Sequence, residues 1–151
     1  CGSAIVLASL TDASVQTITV SGNTPTVNRS VWYVFNGVDD NDTNGDEYHV
    51  DGRFTINPGA GYRMDVFRGS CGGTQIASAE AVSWDWYTDQ NYTTVGCSVS
   101  SPCGEGNCLS TNTLDRNICE DDTSSYYVRV YRTGGAAVCG QYTIAFSNGV
   151  Y

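Results

Sequence analysis

The run DDNDTNGDEYHVD, from Asp39 to Asp51, carries the clearest chemistry in the chain. Counted from Asp40, oxygen-bearing side chains stand at positions 1, 3, 5, 7 and 12 (Asp40, Asp42, Asn44, Asp46 and Asp51), with Gly45 at position 6. That is the ligand spacing of a calcium loop, in which glycine permits the sharp turn and the last carboxylate closes the shell. The setting differs from an EF-hand: no helical pattern flanks the run, and position 12 is Asp where the longer Glu is usual, so Asp51 is the weakest member of the set. The alternative is an acidic hairpin turn in which Asn44-Gly45 supplies the positive φ angles. Five carboxylates between Asp39 and Glu47 repel one another unless a cation or solvent screens them, and calcium is the expected cofactor.

A second constellation is aromatic. Trp84 and Trp86 in SWDWYTDQNY share one face if the segment is a strand, which makes them either a stacking platform for sugar rings or a large share of the core. Core is the expectation. Tyr127 and Tyr131 flank Arg129 on alternate positions and form a second possible contact surface. Catalysis finds little footing, because a serine triad would have to use His49, the single histidine, and no nucleophile-elbow motif accompanies it.

The chain has 151 residues, a net charge of −9 and seven basic residues, all of them arginine. Its pI near 4.2 and lack of a clustered basic footprint argue against nucleic acid. No stretch approaches the roughly 20 apolar residues of a transmembrane helix. Seven cysteines are an odd number. With no C-x-x-C pair or Cys/His cluster to suggest a metal, they imply an oxidising, extracellular or cell-surface location. Cys71, Cys97, Cys103, Cys108, Cys119 and Cys139 are candidates for disulfides, with Cys103 to Cys108 the most local pair, worth about 2 kcal/mol on loop entropy. Cys71 with Cys97 and Cys119 with Cys139 would complete a set, although sequence cannot choose among the connectivities. Cys1 is expected to be the unpaired or intermolecular one, joined to a lipid, a neighbouring subunit or upstream residues. It can also bridge back and leave another thiol over.

The elements that must position these groups read as strands. Gly, Ser, Thr and Asn abound, and no long window shows helical spacing, so one all-β domain over 1–151 is expected, a β-sandwich or jelly-roll-like fold of about nine strands. The segments are Ala4–Leu10, Val15–Val20, Val31–Phe35, Tyr48–Ile56, Tyr62–Phe67, Gln75–Ala79, Val82–Tyr87, Tyr126–Tyr131 and Gln141–Phe146. Tyr62, Met64 and Val66 alternate with Arg63 and Asp65, while Tyr126, Val128 and Val130 alternate with Tyr127, Arg129 and Tyr131, as half-buried strands require. NPGAG reads as a turn, and TGGAA from Thr133 is expected to close a hairpin onto the last strand. That hairpin would set Cys139 opposite Val130 and force the chain to fold back if Cys139 pairs with Cys119. The polar segment 96–125 is a cysteine-rich loop, of a length that is usually functional or stapled.

Three segments in order, SVWYVF at Ser30–Phe35, DVFRGSCGG at Asp65–Gly73 and SYYVRVYRTGGAAVCGQYTIAF at Ser125–Phe146, resemble the bacterial pre-peptidase C-terminal domain family. The resemblance covers roughly Ser30 to the C-terminus. It implies a β-sandwich module of secreted bacterial proteins, often appended to enzymes and not itself catalytic. The acidic run after Phe35 and the cysteine-rich loop depart from the family pattern.

Two functions are therefore expected to compete. One is a non-catalytic structural or adhesive subunit of a bacterial surface or filament assembly, stabilised by calcium and disulfides and partnered by itself or by other cell-surface proteins. Here the N-terminal strands within 1–29, AIVLASL and VQTITV, would pair with a neighbour's sheet edge; the simpler placement makes them the first strands of their own sandwich. The other is a carbohydrate- or protein-binding accessory module of a secreted bacterial enzyme, with polysaccharide as the ligand.

Overall fold

The computed structural model describes residues 2–11, 13–24, 26–39, 48–87, 123–134 and 140–150. Ten strands are seen among them: β1 (Ile5–Val6), β2 (Leu10–Thr11), β3 (Thr17–Gly22), β4 (Ser30–Val38), β5 (Tyr48–Ile56), β6 (Tyr62–Arg68), β7 (Thr74–Ala81), β8 (Ser83–Tyr87), β9 (Ser124–Arg132) and β10 (Tyr142–Val150). They form two sheets packed as a sandwich. One has the order β1-β4-β9-β6-β7, with β2 also on β4; the other runs β3-β10-β5-β8.

Alternation decides which side chains enter the space between the sheets. From β9 come Tyr126, Val128 and Val130, from β6 Tyr62, Met64 and Val66, from β4 Tyr33 and Phe35, all buried. The opposing sheet supplies Val50, Trp84, Tyr142, Ile144 and Phe146. Aromatic rings join the layers. Phe35 stacks on Tyr126 at 5.4 Å between centroids and meets Phe146 of the other sheet at 5.2 Å. Trp84 stacks on Tyr126 at 6.1 Å, and Tyr62 meets Tyr142 edge-on at 4.8 Å. The indole of Trp84 fits because Gly52 is its cross-strand partner, where any Cβ would collide with the ring.

Eight of the expected strands are present. The first, Ala4–Leu10, is instead two segments of two residues, both parallel to β4, with Ile5 opposite Tyr33 and Leu10 opposite Gly37. Leu10 is fully buried and Leu7 packs against the core, whereas Ile5 and Val6 are 51% and 79% exposed. Only the leucines are drawn inward, so the pairing breaks between them. Within this chain β1 and β2 pair with β4, and β3 pairs with β10 over six residues.

The hairpin expected at TGGAA does not form. β9 and β10 belong to different sheets, so the connection after Thr133 crosses from one layer to the other. Val130 consequently faces Val31 and Met64, and the objection that placed Cys139 opposite it falls away. Among the described strands only β1–β2 and β6–β7 follow one another within a sheet; the shortest crossings are Asn57–Gly61, around the short 3-10 turn Pro58–Ala60, and Val82, the one residue between β7 and β8.

Candidate functional site

The outward face of the six-stranded sheet holds the most organised polar group among the described residues. Alternation on β9 turns Tyr127, Arg129 and Tyr131 outward, and the register sets Arg129 between Trp32 of β4 and Asp65 of β6. Asp65 is almost completely buried despite its charge. Burial of a carboxylate requires compensation, and both its oxygens are engaged. Arg129 Nη2 donates to Oδ2 in an ion pair, and Tyr131 Oη donates to Oδ1 at 3.0 Å. Glu80, held at φ 69° in an irregular stretch of β7, donates its backbone N–H to the same phenol oxygen at 3.0 Å. Burial pushes the Tyr131 phenol above its ordinary range, partly opposed by the Glu80 hydrogen bond.

Arg129 is fixed by this arrangement. Its guanidinium carbon lies 4.8 Å from the Tyr131 ring centroid and 5.9 Å from that of Trp32, close enough for cation–π attraction. Trp32 in turn meets Phe67 at 5.8 Å. One end of the cluster opens into a hollow of about 160 Å³ lined by Val27, Asn28, Arg29, Ser30, Arg129 and Tyr131. Chemically this is an oriented cation with an aromatic wall, suited to holding an anion or a ring face.

The other expected sites fall elsewhere. Trp84 is buried and Trp86 is half-buried against the core. Tyr127 and Tyr131 are half-buried on the outward face beside Arg129. His49 sits on β5 in the other sheet, opposite Tyr87 and Gly149. Of the calcium set, Asp51 is described: it lies on β5, accepts a 2.6 Å hydrogen bond from Ser147 Oγ and stands opposite Asp85 of β8. Asp40, Asp42, Asn44 and Asp46 lie outside the described residues, as do Cys1, Cys97, Cys103, Cys108, Cys119 and Cys139 and almost all of the 96–125 loop. Cys71, in the turn after β6, is disulfide-bonded.

Sequence reasoning missed Trp32, Asp65 and Arg29. Alternation placed Asp65 on the outward face, but only strand order and register bring it beneath Arg129. Asp39, whose backbone carbonyl accepts from Thr123 Oγ1 at 3.1 Å, is also buried; the bond pins the start of the acidic run to the residue just before β9.

No protein-family model matches the chain, no curated protein is similar to it at a significant level, and no solved structure matches it. The segments Ser30–Phe35, Asp65–Gly73 and Ser125–Phe146 map to β4, to β6 with its following turn, and to β9 with β10.

Proposed function

We propose that the protein is a non-catalytic structural or adhesive subunit outside a bacterial cell, built on a sandwich of the pre-peptidase C-terminal kind and stabilised by calcium and disulfides. The observation that carries this reading is the character of one lateral side of the sandwich. β1 and β2 edge one sheet and β3 edges the other, and β2 touches β10 next to β3. Among the described residues nothing pairs with the outer edge of β3. Ile5, Val6 and Val15, at 51%, 79% and 68% exposure, lie on or beside these strands.

Natural sheets guard exposed edges with lysine, proline or other charge. Here residues 1–28 contain a single charged side chain, Asp12, in a chain of net charge −9. Repulsion between copies is therefore weakest where backbone donors and acceptors are available for a neighbour's strand. A contact between unlike edges would propagate as a filament. The bonded state of Cys71 supports an oxidising, extracellular location.

Electron microscopy of native material tests the reading, with polymers or surface-bound arrays expected. A triple substitution Val6→Lys, Val15→Lys and Thr19→Lys, all at exposed positions, should abolish them without unfolding the sandwich. Discrete monomers at every concentration would overturn it. A second reading, a carbohydrate- or protein-binding accessory module, is favoured by the Asp65–Arg129–Tyr131 arrangement.

A further inference from the structure

Arg29 lines two hollows at the start of β4. The first, described above, sets Arg29 and Arg129 around about 160 Å³ with Asn28, Ser30, Val27 and Tyr131. The second, about 280 Å³, is lined by Asn23, Thr24, Arg29, Ser30 and Val31. Two of the chain's seven arginines thus converge on one small area, and no carboxylate lines either hollow. Asp65 neutralises part of the Arg129 charge, yet Arg29 adds a whole positive charge at an exposed position. The net local charge is positive in a strongly acidic protein.

The second hollow carries an independent signal. Thr24 is 2% exposed, and its hydroxyl has no hydrogen-bond partner. Buried hydroxyls are nearly always satisfied, by protein or by a bound group. With Asn23 and Ser30 beside it and Val31 as an apolar wall, this hollow has the mixed lining that recognises a polyhydroxylated ring, and its size suits one ring better than a drug-sized ligand.

We propose that the paired hollows bind an acidic saccharide, a uronate-type sugar whose carboxylate sits between Arg29 and Arg129 while the ring hydroxyls meet Thr24, Asn23 and Ser30. Planar guanidinium groups recognise carboxylates with directional, charge-assisted hydrogen bonds. Asp65 and Tyr131 hold Arg129 in place before the ligand arrives, which reduces the ordering cost of binding. The site does not depend on the assembly reading, because it rests on the lining of the two hollows and not on an unpaired strand edge.

Calorimetric titration of the full chain at low salt tests it with three probes: a trigalacturonate, its methyl ester, and a glutamate oligopeptide of equal charge. The free acid is expected to bind and the ester to bind at least tenfold more weakly. Arg29→Gln, an exposed change that should leave the melting temperature unaltered, is expected to weaken binding about tenfold, and Thr24→Val about threefold. No binding of the free acid, equal binding of the ester, or an unaffected Arg29→Gln variant would each overturn the proposal. Equal or tighter binding of the glutamate peptide would replace the sugar by an acidic protein segment and overturn it as well. The failure of polymers to form would bear only on the assembly reading.

Discussion

The hydroxyls of Tyr33 and Tyr142, 109 positions apart in the chain, meet at 2.8 Å between the two sheets. One is on β4 and the other on β10, so this bond ties the two layers together. Removing either hydroxyl leaves the other buried without its partner. Tyr33→Phe or Tyr142→Phe should therefore cost about 1–3 kcal/mol, and the double variant less than the sum of the singles. A double-mutant cycle in urea measures the coupling.

The same pair predicts an alkaline limit. Burial raises both phenols above their ordinary value of 10.0. The folded state then holds its phenolic protons at a pH where the unfolded chain loses them, so stability is fully present below about pH 10 and falls as pH rises beyond it. The variant lacking both hydroxyls should show a flatter decline. Denaturation midpoints between about pH 9 and 12 check this, with ultraviolet absorbance following tyrosine ionisation.

Gly52→Ala tests the packing of Trp84. The added methyl meets the indole ring of its cross-strand neighbour and also the Phe146 ring. Overpacking of this kind costs about 1–3 kcal/mol. A lower urea midpoint, with altered tryptophan fluorescence in the folded state, is the expected result.

Asp65→Asn should destabilise the fold by about 2 kcal/mol, since the buried carboxylate serves both Arg129 and Tyr131. The ion pair has one half-exposed partner, which keeps the loss below that of a fully buried pair. Thermal unfolding at low and high salt measures it, and the difference between the two proteins should shrink as salt rises.

Calcium at millimolar concentration is expected to raise the melting temperature relative to excess chelator, as a ligand of the folded state must. Asp51→Asn should reduce that rise. An identical melting curve with chelator and with calcium would remove the metal reading, leaving Asp51 as a cross-strand acceptor for Ser147.

Much of this architecture could be read before any coordinates. The alternation in YRMDVF and SSYYVRVY identifies β6 and β9 and the correct inward residues, because period two is a property of the extended backbone itself. Trp84 lies in the core, as the large apolar area of an aromatic side chain in a sandwich favours. The TGGAA connection misled, since a glycine-rich turn between two strands has the same composition whether it closes a hairpin or steps between layers. The N-terminal run AIVLASL misled differently: its apolar content concealed that Leu7 and Leu10 face the core while Ile5 and Val6 do not.

Composition and spacing alone thus determined an all-β chain, most of its strand positions and its acidity. The tertiary structure alone decided which strands are neighbours, and with that the pairing of Asp65 with Arg129, the bond between Tyr33 and Tyr142, and the meeting of Arg29 with Arg129 beside Thr24. Local sequence encodes the direction of each side chain, which depends only on backbone geometry. Who lies opposite depends on long-range strand order and register, and those are settled by the packing of the whole core at once.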